Sequence, residues 1–403
     1  MILFTPYGIA TGYVSVTLGY TLTHAGVSVA DVATVVAIGL VPQTWKVLWA
    51  PIIDTTLTRK RWYLMAALAT GLGIAATGLV PADNASLTLI RVLVFGFNLM
   101  VSFLTMSVES LLAHATPEAK RGKAGGWLQA GNLGGLGLGG GLGLWVAHHI
   151  EGTWLPGTLL GVVCLACALA LAAVHEPAAE RGAVGPVEAV KEVGRDVWSV
   201  MRSRLGFLAM VLLFMPIGTG AAANLFADIA GDWQADADTV ALVNGMLSGL
   251  ISIAGCLFGG YLSDAMDYKT AYSVCGVTLA LCAIAMGLAP HTAMLFVAFT
   301  CLYNFITGIA YATFTAVALE AIGKGAVATK YNLMACLSNV PILYMTTIDG
   351  AVQTAYGSTT MLLAESVLGF VGIGLYLLIA LATRRLTVGR LERDDIRLNQ
   401  PNV

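Results

Sequence analysis

The sequence predicts an all-α polytopic membrane protein with twelve transmembrane helices in two pseudo-symmetric six-helix bundles. Hydrophobic residues make up 57% of the 403 residues and charged residues only 11%, whereas an average soluble domain is about 25% charged. A membrane-spanning helix needs about 20 mostly apolar residues, and twelve spans leave about 34 residues for each span and its connection. This composition excludes a water-soluble globule, and a net charge of −2 offers no basic surface for nucleic acid. We therefore expect the lipid bilayer to be the partner of this chain.

Apolar runs bounded by Gly, Pro and charge clusters predict the individual spans. They lie at 2–22, 29–51, 62–80, 87–112, 124–147 and 155–174, and then at 205–226, 238–262, 270–288, 292–318, 327–348 and 359–383. The polar stretch between the two groups carries charges at helical spacing, which predicts a linker with an interfacial helix. The predicted parts are an N-terminal bundle at 1–175, a cytoplasmic linker at 176–204, a C-terminal bundle at 205–385 and a cytoplasmic tail at 386–403.

The distribution of positive charge predicts the orientation of the spans. All Lys and Arg residues except Lys46 and Arg91 lie after even-numbered spans, in the linker or in the tail, with Lys330 at the very start of the eleventh span, and the opposite loops contain none. Because positive residues accumulate in cytoplasmic loops, both termini are expected to be cytoplasmic. The compact, Ala- and Gly-rich chain with short loops favours the inner (plasma) membrane of a bacterium.

Acidic residues recur between the two halves. Asp54 and Asp264 end the second and eighth spans and lie 210 residues apart, and Glu109 and Glu320 end the fourth and tenth spans and lie 211 residues apart. Two related halves are a common plan of transporters. We predict that Asp54 and Asp264 are gating residues whose partners are the basic residues of the adjoining loops, Arg59, Arg61 and Lys269.

Two motifs at these span ends resemble the major facilitator superfamily. Gly260, Leu262, Asp264 and Lys269 match its G-x-L-x-D loop pattern, and the string from Lys46 to Asp54 is similar to the K-x-L-W-A-P-(I/L)-(I/V)-D stretch of the AmpG-like branch. That branch includes muropeptide permeases and acetyl-CoA transporters, and siderophore permeases carry similar strings. The resemblance implies a central site between two bundles, alternating access, and contact between the fifth and eighth spans.

The chain departs from the AmpG-like pattern in the fourth span. Permeases of that branch tend to carry two acidic residues four positions apart there, and this sequence has Thr105 and Glu109. The first carboxylate of the pair is therefore replaced by a hydroxyl group.

Lys46 and Arg91 are charged residues inside predicted spans, where insertion of such a side chain costs about 2.5 to 3.5 kcal/mol at the bilayer centre. Each is interpreted either as part of an internal ion pair, with snorkelling as a further option for Arg91, or as a group that attracts an anionic substrate. Arg91, Asn98, Ser102, Thr105 and Glu109 form one helical stripe, which favours a polar pathway over lipid contact. The predicted substrate-binding residues are Tyr7, Thr11, Lys46, Arg91, Asn98, Ser102, Asn304 and Tyr311.

Three carboxylates are candidate proton carriers, because burial in a membrane favours the protonated form of an acid. Glu109 ranks first since it lies on the polar stripe, Glu320 could instead belong to the gate, and Glu365 could be structural. Protons are therefore the expected coupling ion.

Glycines in the fifth span form a motif and a ridge. Gly135-x-Gly137-x-x-Gly140 matches a dinucleotide fingerprint, but no strand precedes it, so no nucleotide cofactor is predicted. The ridge consists of Gly131, Gly135, Gly139 and Gly143 and predicts close helix contact.

The sequence favours a proton-coupled permease, a symporter that imports a polar, anionic small molecule. It has no P-loop for ATP hydrolysis, no metal-ligand spacing and no converging nucleophile and base, so no cofactor, metal or catalytic residue is predicted. Two alternatives stay open: a membrane-embedded transferase and a non-transporting assembly factor with the same fold.

Overall fold

A computed structural model describes residues 1–150, 152–174, 176, 186–236, 239–240, 242–323 and 326–398. The side chains of 29, 30, 33, 186, 187, 189, 190, 245, 246 and 384–398 are not included in this description. All side chains of the predicted tail, and residues 177–185 of the predicted linker, therefore lie outside the described residues.

The described residues form helices, turns and bends, and no strand occurs among them. Spans 1 to 6 lie at 2–24, 29–55, Arg59–Leu79, Leu87–Ala115, 118–149 and 155–173. Spans 7 to 12 lie at 204–233, 242–265, Tyr268–Leu288, Ala293–Ile322, 327–356 and 358–398. A linker helix, Pro186–Arg202, precedes span 7. The predicted all-α class is confirmed.

Several spans are interrupted, so not every span contains a single unbroken helix long enough to cross a membrane. Among the described residues, seven helices are long and apolar enough to cross a membrane, or eight if the linker helix and the start of span 7, bent by 79°, count as one. Span 2 is broken around Trp45 and Trp49, and spans 1 and 5 contain π-helical turns. Spans 11 and 12 run on as one helix except at Gly357, whose φ of 83° is readily adopted only by glycine.

Side-chain caps fix the beginnings of several spans. The oxygens of Ser28, Thr58, Ser203, Asp267 and Thr292 accept the backbone N–H three residues later. Each cap satisfies one of the donors that the first helical turn leaves without a partner. The starts of spans 2, 3, 7, 9 and 10 are therefore set by local sequence.

The glycine ridge of span 5 packs against span 1. A Cβ atom at Gly135 or Gly139 would lie 2.3 or 2.2 Å from a backbone oxygen of span 1. Spans 5 and 8 do meet between the halves, but through other glycines: a Cβ at Gly126 would lie 2.5 Å from the Cys256 oxygen. Small residues thus permit close contact on two faces of span 5.

The outer surface of the helices is apolar. Leu68, Leu169, Leu257 and Leu378 on spans 3, 6, 8 and 12 are exposed, and Leu169 retains 78% of its surface. Contiguous exposed apolar surface of this kind fits contact with lipid.

Candidate functional site

A cavity lies between the two halves, with about 80 Å³ of space that the centre of a water molecule can reach. That space holds several water molecules. Its lining residues are Phe4, Tyr7, Lys46, Glu109, Gln129 and Asn132 from the first half and Gly218, Thr219, Tyr272, Ala310, Tyr311, Phe314, Tyr331, Ala335, Ser338, Asn339 and Ile342 from the second. The charged residues of this lining are Lys46 and Glu109.

Lys46 reaches the cavity from the break in span 2, where a short 3₁₀ turn, Lys46–Leu48, separates two α-helical segments. Its Nζ lies 3.4 Å from Glu109 Oε1 on span 4, and the two side chains are 9% and 3% exposed. Asn332 Nδ2 of span 11 donates to Glu109 Oε2 at 3.2 Å. Glu109 therefore joins a cation of its own half to an amide of the other half at the cavity wall.

Arg91 lies apart from this cavity, in an ion pair with Asp31. Its Nη2 is 2.7 Å from Asp31 Oδ1, and the two side chains are 27% and 43% exposed. Asp31 begins span 2 at the end of the molecule opposite the basic loops. Arg91 is therefore not among the residues that line the cavity with Lys46, and of its two interpretations the ion pair is the one that the structure shows.

The other predicted substrate-binding residues divide into two groups. Tyr7 and Tyr311 line the cavity. The other four do not line the cavity. The side chains of Thr11, Asn98 and Asn304 donate to carbonyl groups of their own helices. Ser102 accepts a hydrogen bond from Trp49 Nε1 at 2.9 Å. Asn98 and Ser102, the middle part of the polar stripe on span 4, are therefore buried between helices and do not line the cavity.

Sequence reasoning missed several polar groups of the cavity. Gln129 Nε2 donates to Thr315 Oγ1 across the two halves at 2.9 Å, and Asn132 donates to Gln129 Oε1 at 3.1 Å. Ser338 and Asn339 contribute from span 11. Polar side chains at helical spacing within the Gly-rich span 5 were the signal that could have found the first pair.

Asp54 and Asp264 cap helices of the opposite half. Asp54 accepts the backbone N–H of Ala328 at 3.1 Å and of Thr329 at 2.9 Å, at the start of span 11. Asp264 accepts the backbone N–H of Gly122 at 2.8 Å and of Lys123 at 3.2 Å, at the start of span 5. A carboxylate at a helix N-terminus meets free donors and the positive end of the helix dipole.

The predicted basic partners of these carboxylates make other contacts. Lys269 pairs with Glu320 at 2.5 Å, and Arg59 Nε donates to Ser110 Oγ at 2.8 Å. Arg61 donates its backbone N–H to the Thr58 hydroxyl oxygen at 3.3 Å. Arg59 also acts electrostatically on Asp54. The helix caps at Asp54 and Asp264, which the motif alone did not indicate, are therefore contacts additional to the predicted basic neighbours.

Hydrogen bonds between the halves are concentrated toward the basic end. In the described part of the chain, the hydrogen bonds that join the halves run from the level of Thr44 and the cavity to the basic end, where Tyr268 donates to the Glu118 carbonyl. The structure is therefore closed at the basic end.

Glu365 is buried in the second half and is 7% exposed. Its Oε1 accepts from Tyr303 Oη at 2.6 Å and from the backbone N–H of Ala222 at 3.4 Å. Asp349, which the apolar runs place in a loop, lies instead inside span 11 with no exposed surface. The helix continues past the apolar run, so hydropathy ends the span too early.

The described residues contain no group of three or more His, Cys, Asp and Glu side chains arranged to hold a metal ion.

Comparison with known proteins identifies the family. The model of the Major Facilitator Superfamily matches residues 1–344. No curated protein sequence matches the chain significantly.

Three solved structures share the fold at low sequence identity. The proton:xylose symporter XylE, bound to 6-bromo-6-deoxy-D-glucose, is 12% identical with a TM-score of 0.70, and the match covers 94% of each chain. The E. coli fucose:proton symporter is 13% identical with a TM-score of 0.72 over 94% of this chain and 97% of that one. The human organic anion transporter MFSD10 is 15% identical with a TM-score of 0.67 over 93% and 98%.

Proposed function

This chain belongs to the major facilitator superfamily, and from that premise we propose that it is a proton-coupled secondary transporter of a polar, anionic small molecule. It works by alternating access in the inner membrane, with both termini in the cytoplasm, and imports a muropeptide-, siderophore- or acyl-CoA-like compound, as in the AmpG-like branch. The bundles at 1–175 and 205–385 move against each other, with the linker at 176–204 and the tail at 386–403 on the cytoplasmic side.

The observation that carries this proposal is the Lys46–Glu109 pair on the wall of the inter-bundle cavity. Lys46 is the cation of that lining, and a buried ammonium group needs an anionic partner. In the substrate-free state Glu109 is that partner. An anionic group of the substrate replaces Glu109 at Lys46, and Glu109 then becomes neutral by taking a proton from water in the cavity.

Substrate binding is linked to the second half through Asn332. Its amide donates to Glu109 at 3.2 Å, and its other side-chain atom, Oδ1, is buried without a protein partner. When Glu109 leaves Lys46 and is protonated, the charge that held this amide is lost. Span 11 is thereby freed from span 4 at the level of the cavity.

Release to the cytoplasm requires opening of the basic end. The Asp54 and Asp264 caps must break there, and each cap contributes about 0.5 to 2 kcal/mol. The cavity has room for a few water molecules and not for a large ligand, so binding of the proposed substrate also requires the cavity to widen.

Transport into proteoliposomes tests the proposal. The purified chain is reconstituted, a proton gradient is imposed, and uptake of a radiolabelled muropeptide, a ferric siderophore and acetyl-CoA is measured separately. We expect accumulation of one compound class that collapses with the gradient and falls at least tenfold in Lys46→Ala.

Lys191→Ala is the matched control, because Lys191 lies on the linker helix with 64% of its side chain exposed. Uptake by this variant should equal that of the unaltered chain. Covalent product without flux would identify a transferase, and neither product nor flux for any of the three classes would contradict the proposed function.

A further inference from the structure

The second half contains two buried carboxylates without a cation. Asp349 on span 11 has no exposed surface, and neither of its carboxylate oxygens has a protein hydrogen-bond partner. Glu365 on span 12 is 7% exposed, and its Oε2 is likewise buried without a partner. Among the described residues, no ion pair includes either of them.

Among the residues that the structure describes, the titratable groups that interact with this pair are all acids. Glu365 interacts with Tyr303 on span 10 and with Cys282 on span 9, and Asp349 interacts electrostatically with both Glu365 and Tyr303. Glu109 and Glu320 differ, because each has a lysine at 3.4 and 2.5 Å respectively. The Asp349–Glu365 pair therefore has to be neutralised by something other than a side chain.

Two ionised carboxylates cannot share such a site. Burial penalises each charge strongly, and like charges in one site add to that penalty. The two residues also differ from each other, since the Glu365 anion accepts bonds from Tyr303 and from the Ala222 N–H while Asp349 accepts none. Asp349 is thus the acid that stays protonated, and Glu365 is the one whose anion is stabilised.

A break in span 7 places Glu365 next to the central cavity. The helix is interrupted at 215–220, where Gly218 and Gly220 have φ values of 62° and 68°. A space of about 10 Å³, enough for at most one water molecule, is lined by Glu365, Gly218 and Thr219. Gly218 and Thr219 also line the central cavity, so the two spaces share a wall.

We propose that Asp349 and Glu365 form a proton-binding pair in which Asp349 holds one proton and Glu365 exchanges a second with the central cavity through the break in span 7. Loading forms an O–H bond on Glu365 Oε2 with a proton delivered by water, and the charge of the pair changes from −1 to 0. Unloading returns that proton to water. This inference rests on the proposed transport function and adds a second proton-binding site to the one proposed at Glu109.

Infrared spectroscopy of the purified full chain tests the pair without any substrate. Difference spectra between acidic and alkaline buffer report the carbonyl stretch of protonated carboxyl groups. Glu365→Gln should remove one band from these difference spectra. Asp349→Asn, which mimics a protonated aspartic acid, should leave that band and instead remove a carboxyl band from the absolute spectra recorded at both pH values. Glu320→Gln, whose carboxylate is paired with Lys269, is the matched control and should leave both bands in place.

Further outcomes keep the test decisive. If Glu365→Gln fails to fold, Tyr303→Phe should shift the frequency of the same pH-dependent band, because it removes the hydrogen bond to that carboxyl group. Loss of the pH-dependent band in Asp349→Asn with retention in Glu365→Gln would overturn the assignment. So would loss of the band in sodium chloride but not in choline chloride, which would identify a sodium site.

The spectroscopic result separates this inference from the proposed function. If the unaltered chain shows both expected carboxyl bands but transports none of the tested compounds, the proton-binding pair stands and the proposed function is rejected. Gradient-driven accumulation by Glu365→Gln at the unaltered level would reject the site and leave the function standing.

Discussion

The two halves match at the basic end and differ at the centre. At the basic end, Asp54 caps span 11 and Asp264 caps span 5 with two backbone hydrogen bonds each. At the centre, Glu109 of the first half is paired with Lys46, while Glu365 of the second half has a tyrosine and a backbone N–H but no cation. Glu320, which the repeat relates to Glu109, is also paired with a lysine, so the halves differ through Glu365, a buried acid of the second half alone.

The difference at the centre suggests a division of labour. When a carboxylate that is paired with a lysine becomes protonated, the lysine loses its counter-ion. That lysine can then bind an anionic substrate. A carboxylate without a cation needs a positive charge from outside, which suits a proton. We therefore expect substitutions in the first half to act on substrate and those in the second half to act on coupling.

The largest effect is expected from Lys46→Ala. It leaves Glu109 buried at 3% exposure without its cation, and breaking a buried pair costs about 3 to 5 kcal/mol. Thermal unfolding in detergent should show this loss, and the double variant Lys46→Met with Glu109→Gln should recover most of it. A single variant as stable as the unaltered chain would mean that Lys46 and Glu109 are not a buried pair.

An intermediate effect is expected at the two caps and tests their equivalence. Asp54→Ala and Asp264→Ala should each weaken closure by about 0.5 to 2 kcal/mol, and by similar amounts. The readout is the reaction rate of Ser338→Cys, in the cavity lining, with a membrane-impermeant maleimide added from the basic side. Both cap variants should speed this reaction.

Glu118→Ala is the control for the caps, since its side chain is 86% exposed at the same end. It should leave the reaction rate of Ser338→Cys unchanged. Acceleration by only one of the two cap variants would show that the halves close unequally despite their matching geometry.

The smallest effect is expected from Arg91→Ala. Its ion pair with Asp31 is partly exposed, and such pairs contribute about 0 to 1 kcal/mol. The unfolding temperature and uptake should therefore change little, in contrast to Lys46→Ala. A loss of uptake equal to that of Lys46→Ala would place Arg91 on the substrate path after all.

The fold class and the positions of the closing acids could be predicted from sequence because both depend on local patterns. Apolar runs of spanning length give the helices, and the offset of 210 residues relates Asp54 to Asp264. The partners of those acids could not be predicted, since backbone N–H groups leave no signature in a sequence. The Lys46–Glu109 and Arg91–Asp31 pairs join residues about 60 positions apart, and which carboxylate each cation meets depends on how spans 2 and 4 pack.

Asp349 shows where hydropathy fails. Gly350, Gln353, Thr354 and Tyr356 follow it and end the apolar run, yet the helix continues to Gly357. Packing inside the second half keeps this polar turn helical and buries the carboxylate. An apolar run gives the minimum length of a span, and the true end depends on neighbours that the sequence does not display.

The interruption of span 2 brings two functional positions together along the chain. Lys46 lies on the 3₁₀ turn, and Asp54 lies on the short helix Ala50–Thr55 that follows. Lys46 lines the central cavity, while Asp54 caps the start of span 11. One stretch of nine residues therefore joins the wall of the cavity to a contact that closes the basic end.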